Sequence, residues 1–318
     1  MLELLIQNGN TVYCPAIEGE MTWTTQRQGS PGKLQFNVIK DDVLKITEGN
    51  HLQLKVDNNN VFNGFIFTKK SDKSNIISVT AYDQLRYFKN KDTYIYENKR
   101  ADEVVSMLAK DFNLRTGTLQ NTGYKIPSRI EDNATLFDIV GNALDLTLQN
   151  KKEMYVLFDD FGSITLKNIS DMIVPIVIDE DTGENFSYTS SIDSNTYNKI
   201  KLIYDNEDTA KREVYVSQDS ENMSFWGVLQ YFDKLQKGEN GKAKADALLS
   251  LYNKKTRSLS ISNAFGDIRV RAGCMVVVGL DLGDVKLQNL MLVEKCKHTF
   301  KNGEHFMDLT LRGGDFNA

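Results

Sequence analysis

From Leu2 to Phe88, apolar and polar side chains alternate in short segments such as Leu34-Gln-Phe36-Asn-Val38 and Leu52-Gln-Leu54-Lys-Val56. A period of two places one row of side chains on each face of an extended strand, so such segments bury a face only by joining a sheet. Turn clusters separate them, at Asp57-Asn-Asn-Asn60 and Ser71-Asp-Lys-Ser-Asn75. About six strands with no helical period among them predict a small antiparallel barrel or sandwich.

The period then changes. Ala101, Val104, Val105, Leu108 and Phe112 recur at steps of three and four, which predicts a helix with one apolar face. Thr135-Leu-Phe-Asp138 has the form of a capping box, and the helix it opens would bury Leu136, Ile139, Val140, Ala143 and Leu144. Tyr155-Val-Leu-Phe158 and Ile164-Thr-Leu166 flank Asp159-Asp-Phe-Gly162, a short loop with glycine where positive φ is usual. This middle stretch reads as a small α+β module. Alternation returns in Ile200-Lys-Leu202-Ile-Tyr204 and Val214-Tyr-Val216, and again from Leu259 to Leu311. Between them, Ala245, Leu248, Leu249 and Tyr252 line one face of a helix expected over 242–252, after a Gly-Glu-Asn-Gly loop at 238–241.

The two strand-rich ends resemble each other. Ile46-x-x-Gly49-x-x-Leu52-x-Leu54 matches Val270-x-x-Gly273-x-x-Val276-x-Val278, and Ile77-Ser-Val79-Thr-Ala81-Tyr-Asp83 resembles Met307-Asp-Leu309-Thr-Leu311-Arg-Gly-Gly-Asp315. Alternating strands imitate one another easily, so duplication and chance both account for the match.

Composition narrows the function classes. A chain of 318 residues accommodates two or three modules of about 100–150 residues. Its 38 basic residues are outnumbered by 43 acidic ones, and no Lys/Arg block forms a phosphate-tracking stripe, which argues against nucleic acid as a partner. Three scattered cysteines, Cys14, Cys274 and Cys296, suit a reducing compartment better than a disulfide framework. The start, Met1-Leu-Glu-Leu-Leu-Ile, reads as a strand rather than a signal peptide, and the later apolar run Cys274–Val278 is far shorter than a membrane span.

Candidate chemistry is sparse. Cys296 and His298 are two apart on a strand and share a face, and a hairpin at Lys301-Asn-Gly303 could bring His305 beside them. Three such ligands suit zinc, but a structural site takes four and a catalytic one an orienting acid; a small apolar cysteine and two strand histidines is the plainer reading. With three histidines in all and no Gly-x-Ser-x-Gly elbow, a triad is not expected. The acidic pairs Asp41-Asp42, Asp159-Asp160 and Glu180-Asp181 lie in turns where solvated carboxylates are ordinary. Gly238-Glu-Asn-Gly241-Lys242-Ala lacks the spacing of a phosphate loop. Phe225, Trp226, Tyr231 and Phe232 form an aromatic group that suits packing, a sugar platform or a protein contact. No catalytic, cofactor-binding or metal-binding residue is therefore assigned.

Several ordered motifs resemble a known family. The run Ser187-Tyr-Thr-Ser-Ser-Ile192-Asp-Ser-Asn-Thr-Tyr-Asn198-Lys-Ile-Lys-Leu202 is similar to the one that opens the second barrel in baseplate hub proteins of PBSX-like prophages and contractile phage-tail-like particles, the late control protein D-like group. Trp226-Gly227-Val-Leu-Gln230, the helix 243–251, Phe265-Gly266-Asp267 and Ala272-Gly273 follow in the same order. So do His298-Thr-Phe and His305-Phe-Met307-Asp-Leu309, while Gly49, Phe62-Asn-Gly64-Phe-Ile66 and Ala81-Tyr-Asp83-Gln-Leu85 extend the likeness to the amino-terminal half. The acidic loop Asp205-Asn-Glu-Asp208 and the use of three cysteines depart from it.

The resemblance implies a β-rich α+β fold: a first tube-like antiparallel β-barrel over 1–92, a middle α+β module over 93–192, and a second tube-like barrel over 193–318 with a helical insertion at about 219–255. It further implies a non-enzymatic hub, without cofactors, that joins a hexameric tail tube to a trimeric central spike. The implied partners are two more copies of the chain in a homotrimer, the tube protein or tube initiator, the spike protein and other baseplate proteins, with no membrane insertion. Assembly would take place in the bacterial cytoplasm, before lysis releases the particle. A tail-associated cell-wall hydrolase and a receptor- or carbohydrate-binding tail module are the alternatives.

Overall fold

The computed structural model describes residues 1–71, 73–206, 209–235, 239–281 and 286–313. Asp72 of the first turn cluster, Glu207 and Asp208 of the acidic loop, Gly238 of the loop before the last helix, and Gly314 and Asp315 of the second matched segment lie outside them. The chain divides into two compact units. One holds Met1–Leu148, Glu153–Ser187 and Leu259–Arg312; the other is essentially Tyr188–Ser258 with Gln149–Lys152.

The alternating amino-terminal segments form β1 (Leu2–Asn8), β2 (Thr11–Tyr13), β3 (Ile17–Gln26), β4 (Lys33–Ile39), β5 (His51–Val56), β6 (Asn59–Ser71) and β7 (Ile76–Tyr82). Period two is visible in the burial: Leu52, Leu54 and Val56 of β5 face a core shared with Leu34, Phe36 and Val38 of β4 and with Val79 and Ala81 of β7. Asp57 and Asn58, at φ 49° and 63°, turn β5 into β6, the doubly left-handed turn that short polar residues tolerate. A 3-10 helix (Gln84–Lys89) follows.

The middle stretch holds β8 (Lys91–Lys99), α1 (Ala101–Asp111), β9 (Thr116–Leu119), β10 (Ile126–Thr135), α2 (Leu136–Lys151), β11 (Tyr155–Asp159) and β12 (Ile164–Asn168). Both expected helices are present. The Thr135 hydroxyl accepts from the Asp138 N–H at 3.1 Å while the Asp138 carboxylate accepts from the Thr135 N–H at 3.3 Å, the reciprocal bonds of a capping box. The apolar stripe of each helix meets the β9, β11 and β12 sheet in a core around Leu108, Ile139, Leu157 and Leu166.

After β13 (Ile173–Asp179) and β14 (Asn185–Ser191), the second unit contributes β15 (Lys199–Asn206), β16 (Lys211–Gln218), α3 (Ser220–Trp226), β17 (Gln230–Lys234) and α4 (Gly241–Tyr252). β15 to β17 make a sheet of their own, in the order β16-β15-β17. One face, Ile200 and Leu202, packs on Ala245 and Leu248 of α4. The Asn240 side chain caps that helix by accepting from the Ala243 N–H at 3.1 Å.

The chain closes with β18 (Thr256–Phe265), β19 (Met275–Asp281), β20 (Lys286–Lys301) and β21 (Glu304–Gly313). Among the described residues, strands from both ends of the sequence share one thirteen-stranded sheet, which runs β14-β18-β21-β20-β3-β4-β7-β6-β5-β1-β2, with β19 and then β13 branching from β20. The junction is β3 against β20, six antiparallel pairs from Met21↔Phe300 to Gln26↔Lys295.

The resemblance between the two ends is structural. Gly49 and Gly273 both hold positive φ, 84° and 92°. The Gly49 N–H donates to Ile66 O and the Ile66 N–H to Asn50 O; likewise Gly273 donates to Val293 O and Val293 to Cys274 O. The following strands pair one step on, His51↔Phe65 and Met275↔Leu292. The next partners agree as well, Ile66↔Ala81 and Val293↔Leu311, and each pairing is followed by a register shift, between Ile66 and Thr68 and between Val293 and Lys295. A shared sequence period explains similar strands; it does not explain the same bulge at the same step.

Candidate functional site

The three metal candidates come together. Cys296 and His298, two apart on β20, point to one side, and the Asn302-Gly303 turn brings His305 of β21 opposite Phe300. They form a hydrogen-bond chain. The His305 Nε2 lies 2.9 Å from His298 Nδ1, and His298 Nε2 lies 2.8 Å from Val270 O. A carbonyl only accepts, so His298 carries its proton on Nε2 and receives the His305 N–H at Nδ1. Both ring nitrogens are thereby used, and the Cys296 Sγ, 3.1 Å from the same Nε2, adds a soft contact. Trp23, paired across the strands with His298, stacks on it at 4.8 Å, and Phe300 stacks on His305 at 4.3 Å.

Burial sets the electrostatics. Desolvation, with the neighbouring His305 second, pushes the His298 pKa down to about 3. Burial lowers that of His305 as well, raises Cys274 to about 11 and carries Cys296 well above the usual thiol range. Un-ionised thiols are weak nucleophiles at neutral pH, and a metal ion bound here would have to displace the Cys296 proton. No group of three or more His, Cys, Asp or Glu side chains arranged for a metal ion occurs among the described residues.

A second polar cluster adjoins the first through Trp23. Arg271 is buried with its guanidinium carbon 4.2 Å from the Phe158 ring centre and 6.0 Å from that of Trp23, and its Nη1 donates to Asp159 O at 3.0 Å. Asp159, expected in a solvated turn, is buried, 6% exposed: its carboxylate accepts from the Gly162 N–H, which closes the loop inward beneath Arg271. Asp83 accepts from the Gly32 and Leu85 N–H groups at 2.8 and 3.0 Å. Burial first, and the charge of Asp159 second, raise the Asp83 pKa well above the carboxylate norm. The guanidinium is thus held by a ring face, a carbonyl and the field of two acids, with Nε and Asp159 Oδ2 lacking hydrogen-bond partners among the described residues. Sequence reasoning passed over Arg271 and Trp23, and met Asp83 only inside the matched strand motifs. The available signal was a charged residue inside the apolar segment Val270-Arg-Ala-Gly273-Cys-Met.

The remaining candidates are dispersed. Asp41 accepts from the Val43 and Leu44 N–H groups in a turn, and Asp181 donates its own N–H to Asp179. The expected aromatic group is split: Tyr231 belongs to a ring trio with Tyr197 and Tyr252 in the second unit's core, whereas Phe232, its neighbour on β17, faces outward. Phe225 is exposed and Trp226 half-buried. On the face of the β16-β15-β17 sheet opposite α4, Val214, Val216 and Phe232 are all exposed. No helix among the described residues is long and apolar enough to cross a membrane.

The YQBQ-like family model matches residues 21–312, and the chain belongs to that family. The uncharacterized protein YqbQ of Bacillus subtilis is 27% identical over 97% of this chain and 96% of its own length; the phage-like element PBSX protein XkdQ of the same organism is 25% identical over the same shares. Among solved structures, the 43 kDa tail protein of prophage MuSo2 from Shewanella oneidensis superposes with a TM-score of 0.71 over 97% of this chain and 98% of that one, at 12% identity. The E. coli c3393 protein, a type VI secretion component described as similar to the phage T4 tail proteins gp27 and gp5, gives 0.60 over 99% of this chain and 78% of that one, at 9% identity. The fold is therefore that of prophage tail proteins.

Proposed function

We propose that this chain is a structural baseplate hub that joins a hexameric tail tube to a trimeric central spike. Three chains form a ring in which each contributes two tube-like units, drawn from 1–92 and 193–318 around the module 93–192, so that a threefold ring offers six similar surfaces. The observation that carries this reading is the repeated glycine, strand and bulge at Gly49–Ala81 and Gly273–Leu311. Two copies per chain convert three into six without a second gene product.

The free strands support closure. β2 and β13 each pair on one side only among the described residues, and they expose Val12, and Ile173 and Val177, respectively. Unpaired apolar edges invite strand addition, and head-to-tail contact between unlike edges closes a ring. An obligate contact of this kind buries roughly 2,000 Å² or more. The chain assembles in the bacterial cytoplasm and leaves in the particle on lysis.

Light scattering and electron microscopy test the reading. A trimeric mass and a six-lobed ring, alone or on mixing with the tube and spike proteins of the same particle, are expected. A monomer at high concentration in every mixture overturns it.

A further inference from the structure

A cavity of about 620 Å³ opens in the first unit, where the β5–β6 hairpin, the 3-10 helix, the loop after α1 and the β11–β12 turn converge. Its volume lies within the roughly 300–1,000 Å³ of small-ligand sites. Its walls combine Phe65, Tyr87 and Phe112 with His51, Asn113 and Arg115, and no aspartate or glutamate lines it.

The polar lining is held in place from behind. Gln84, 8% exposed, holds the loop with both ends of its amide: Nε2 donates to Arg115 O and Oε1 accepts from Arg115 N–H, each at 3.1 Å. The same loop is tied to α1 by the Leu114 N–H on Ala109 O and turned at Asn113, φ 52°. On the opposite wall, His51 Nε2 is 2.8 Å from Asn63 Oδ1, and Asn63 packs against Gly162, where an added Cβ would lie 3.1 Å from the amide. The side chains of Arg115, Asn113 and Tyr87 make no hydrogen bond or ion pair among the described residues. A guanidinium, an amide and a phenol with unspent donors, in a cavity of aromatic rings and no carboxylate, complement an anion carried on a ring with an apolar face.

We infer that this cavity binds an organic carboxylate with a ring-shaped body, the acid directed to Arg115 and the body between the aromatic side chains. The carboxylate could end a peptide or decorate a sugar, and the probes separate these. Calorimetry of the full chain with N-acetyl-L-phenylalanine, its neutral amide and N-acetylmuramic acid is the test. At least one acid is expected to bind saturably, with N-acetyl-L-phenylalanine about tenfold tighter than its amide if the source is a peptide terminus. Under the sugar reading, N-acetylmuramic acid binds about tenfold tighter than neutral N-acetylglucosamine. Arg115→Gln, at an exposed position, should leave the melting temperature unchanged and abolish the preference for the charged form. Absence of saturable binding by both acids at millimolar concentration, equal binding of acid and neutral counterpart, or a preference that survives Arg115→Gln overturns the assignment.

Discussion

At the scale of single residues, a buried neutral histidine makes the fold sensitive to acid. An unfolded histidine takes up a proton near pH 6.5, whereas His298 in the fold does so near 3. The depressed value means that its contribution is complete above about pH 6.5 and is lost as pH falls toward about 3. The slope it adds approaches about 1.4 kcal/mol per pH unit across that window. Asp83 and Asp159, raised by burial, act in the opposite sense, since their contribution is greatest at low pH and fades as pH rises through their folded values. The titratable groups around His298 are Cys296, His305, Asp267 and Arg271. Urea unfolding of His298→Phe between about pH 7 and about pH 4 should give a shallower dependence on pH than the parent chain; an unchanged slope would show that His298 titrates normally. The paired glycines provide a second comparison. Gly49→Ala meets open space and suffers only the strain of positive φ, about 1 kcal/mol. Gly273→Ala adds a Cβ 2.5 Å from Val156, so its unfolding midpoint should fall at least twice as far. Equal losses would place the whole effect in the backbone.

Within elements, local chemistry decides the ends and tertiary contact decides the faces. Replacing Thr135 by Ala removes one half of the box that opens α2 and should cost about 1 kcal/mol, read from the denaturation midpoint; Thr135→Ser should restore most of it. Such signals are legible from sequence because donor and acceptor lie three residues apart. The hairpin that gathers Cys296, His298 and His305 was legible for the same reason: an i, i+2 pair on a strand and an Asn-Gly turn are short-range features. The pairing of β3 with β20 was not, because it joins positions on opposite sides of the chain and strand period carries no information about partner. Burial of Asp159 escaped for a related reason. Its turn resembles any solvated turn until Arg271, from a distant segment, lies over Phe158. The glycine match pointed to the duplication, but only the register showed the common bulge, since a bulge is a property of two strands together.

For the whole molecule, the proposed ring puts association at the sheet edges. Val177 is 56% exposed on β13, so Val177→Lys leaves the isolated chain's core intact. Its melting temperature at low concentration should match the parent, while sedimentation in the presence of tube and spike proteins should show assembly lost or weakened at least tenfold; unimpaired assembly would remove β13 from the interface. The junction between the two ends has its own consequence. Six pairs tie β3 to β20, and at its margin Arg27 donates both its backbone N–H to Glu294 O and its Nε to the Glu294 carboxylate at 2.8 Å. Hydrogen bonds pulled along the strand direction strain together, whereas those pulled across it part in sequence. Tension applied lengthwise along β3 and β20 is therefore shared by the whole row, and a rupture-force measurement in that geometry should exceed one that peels the strands apart. In the proposed hub, a load directed along these strands would be borne by the row as a single mechanical bond.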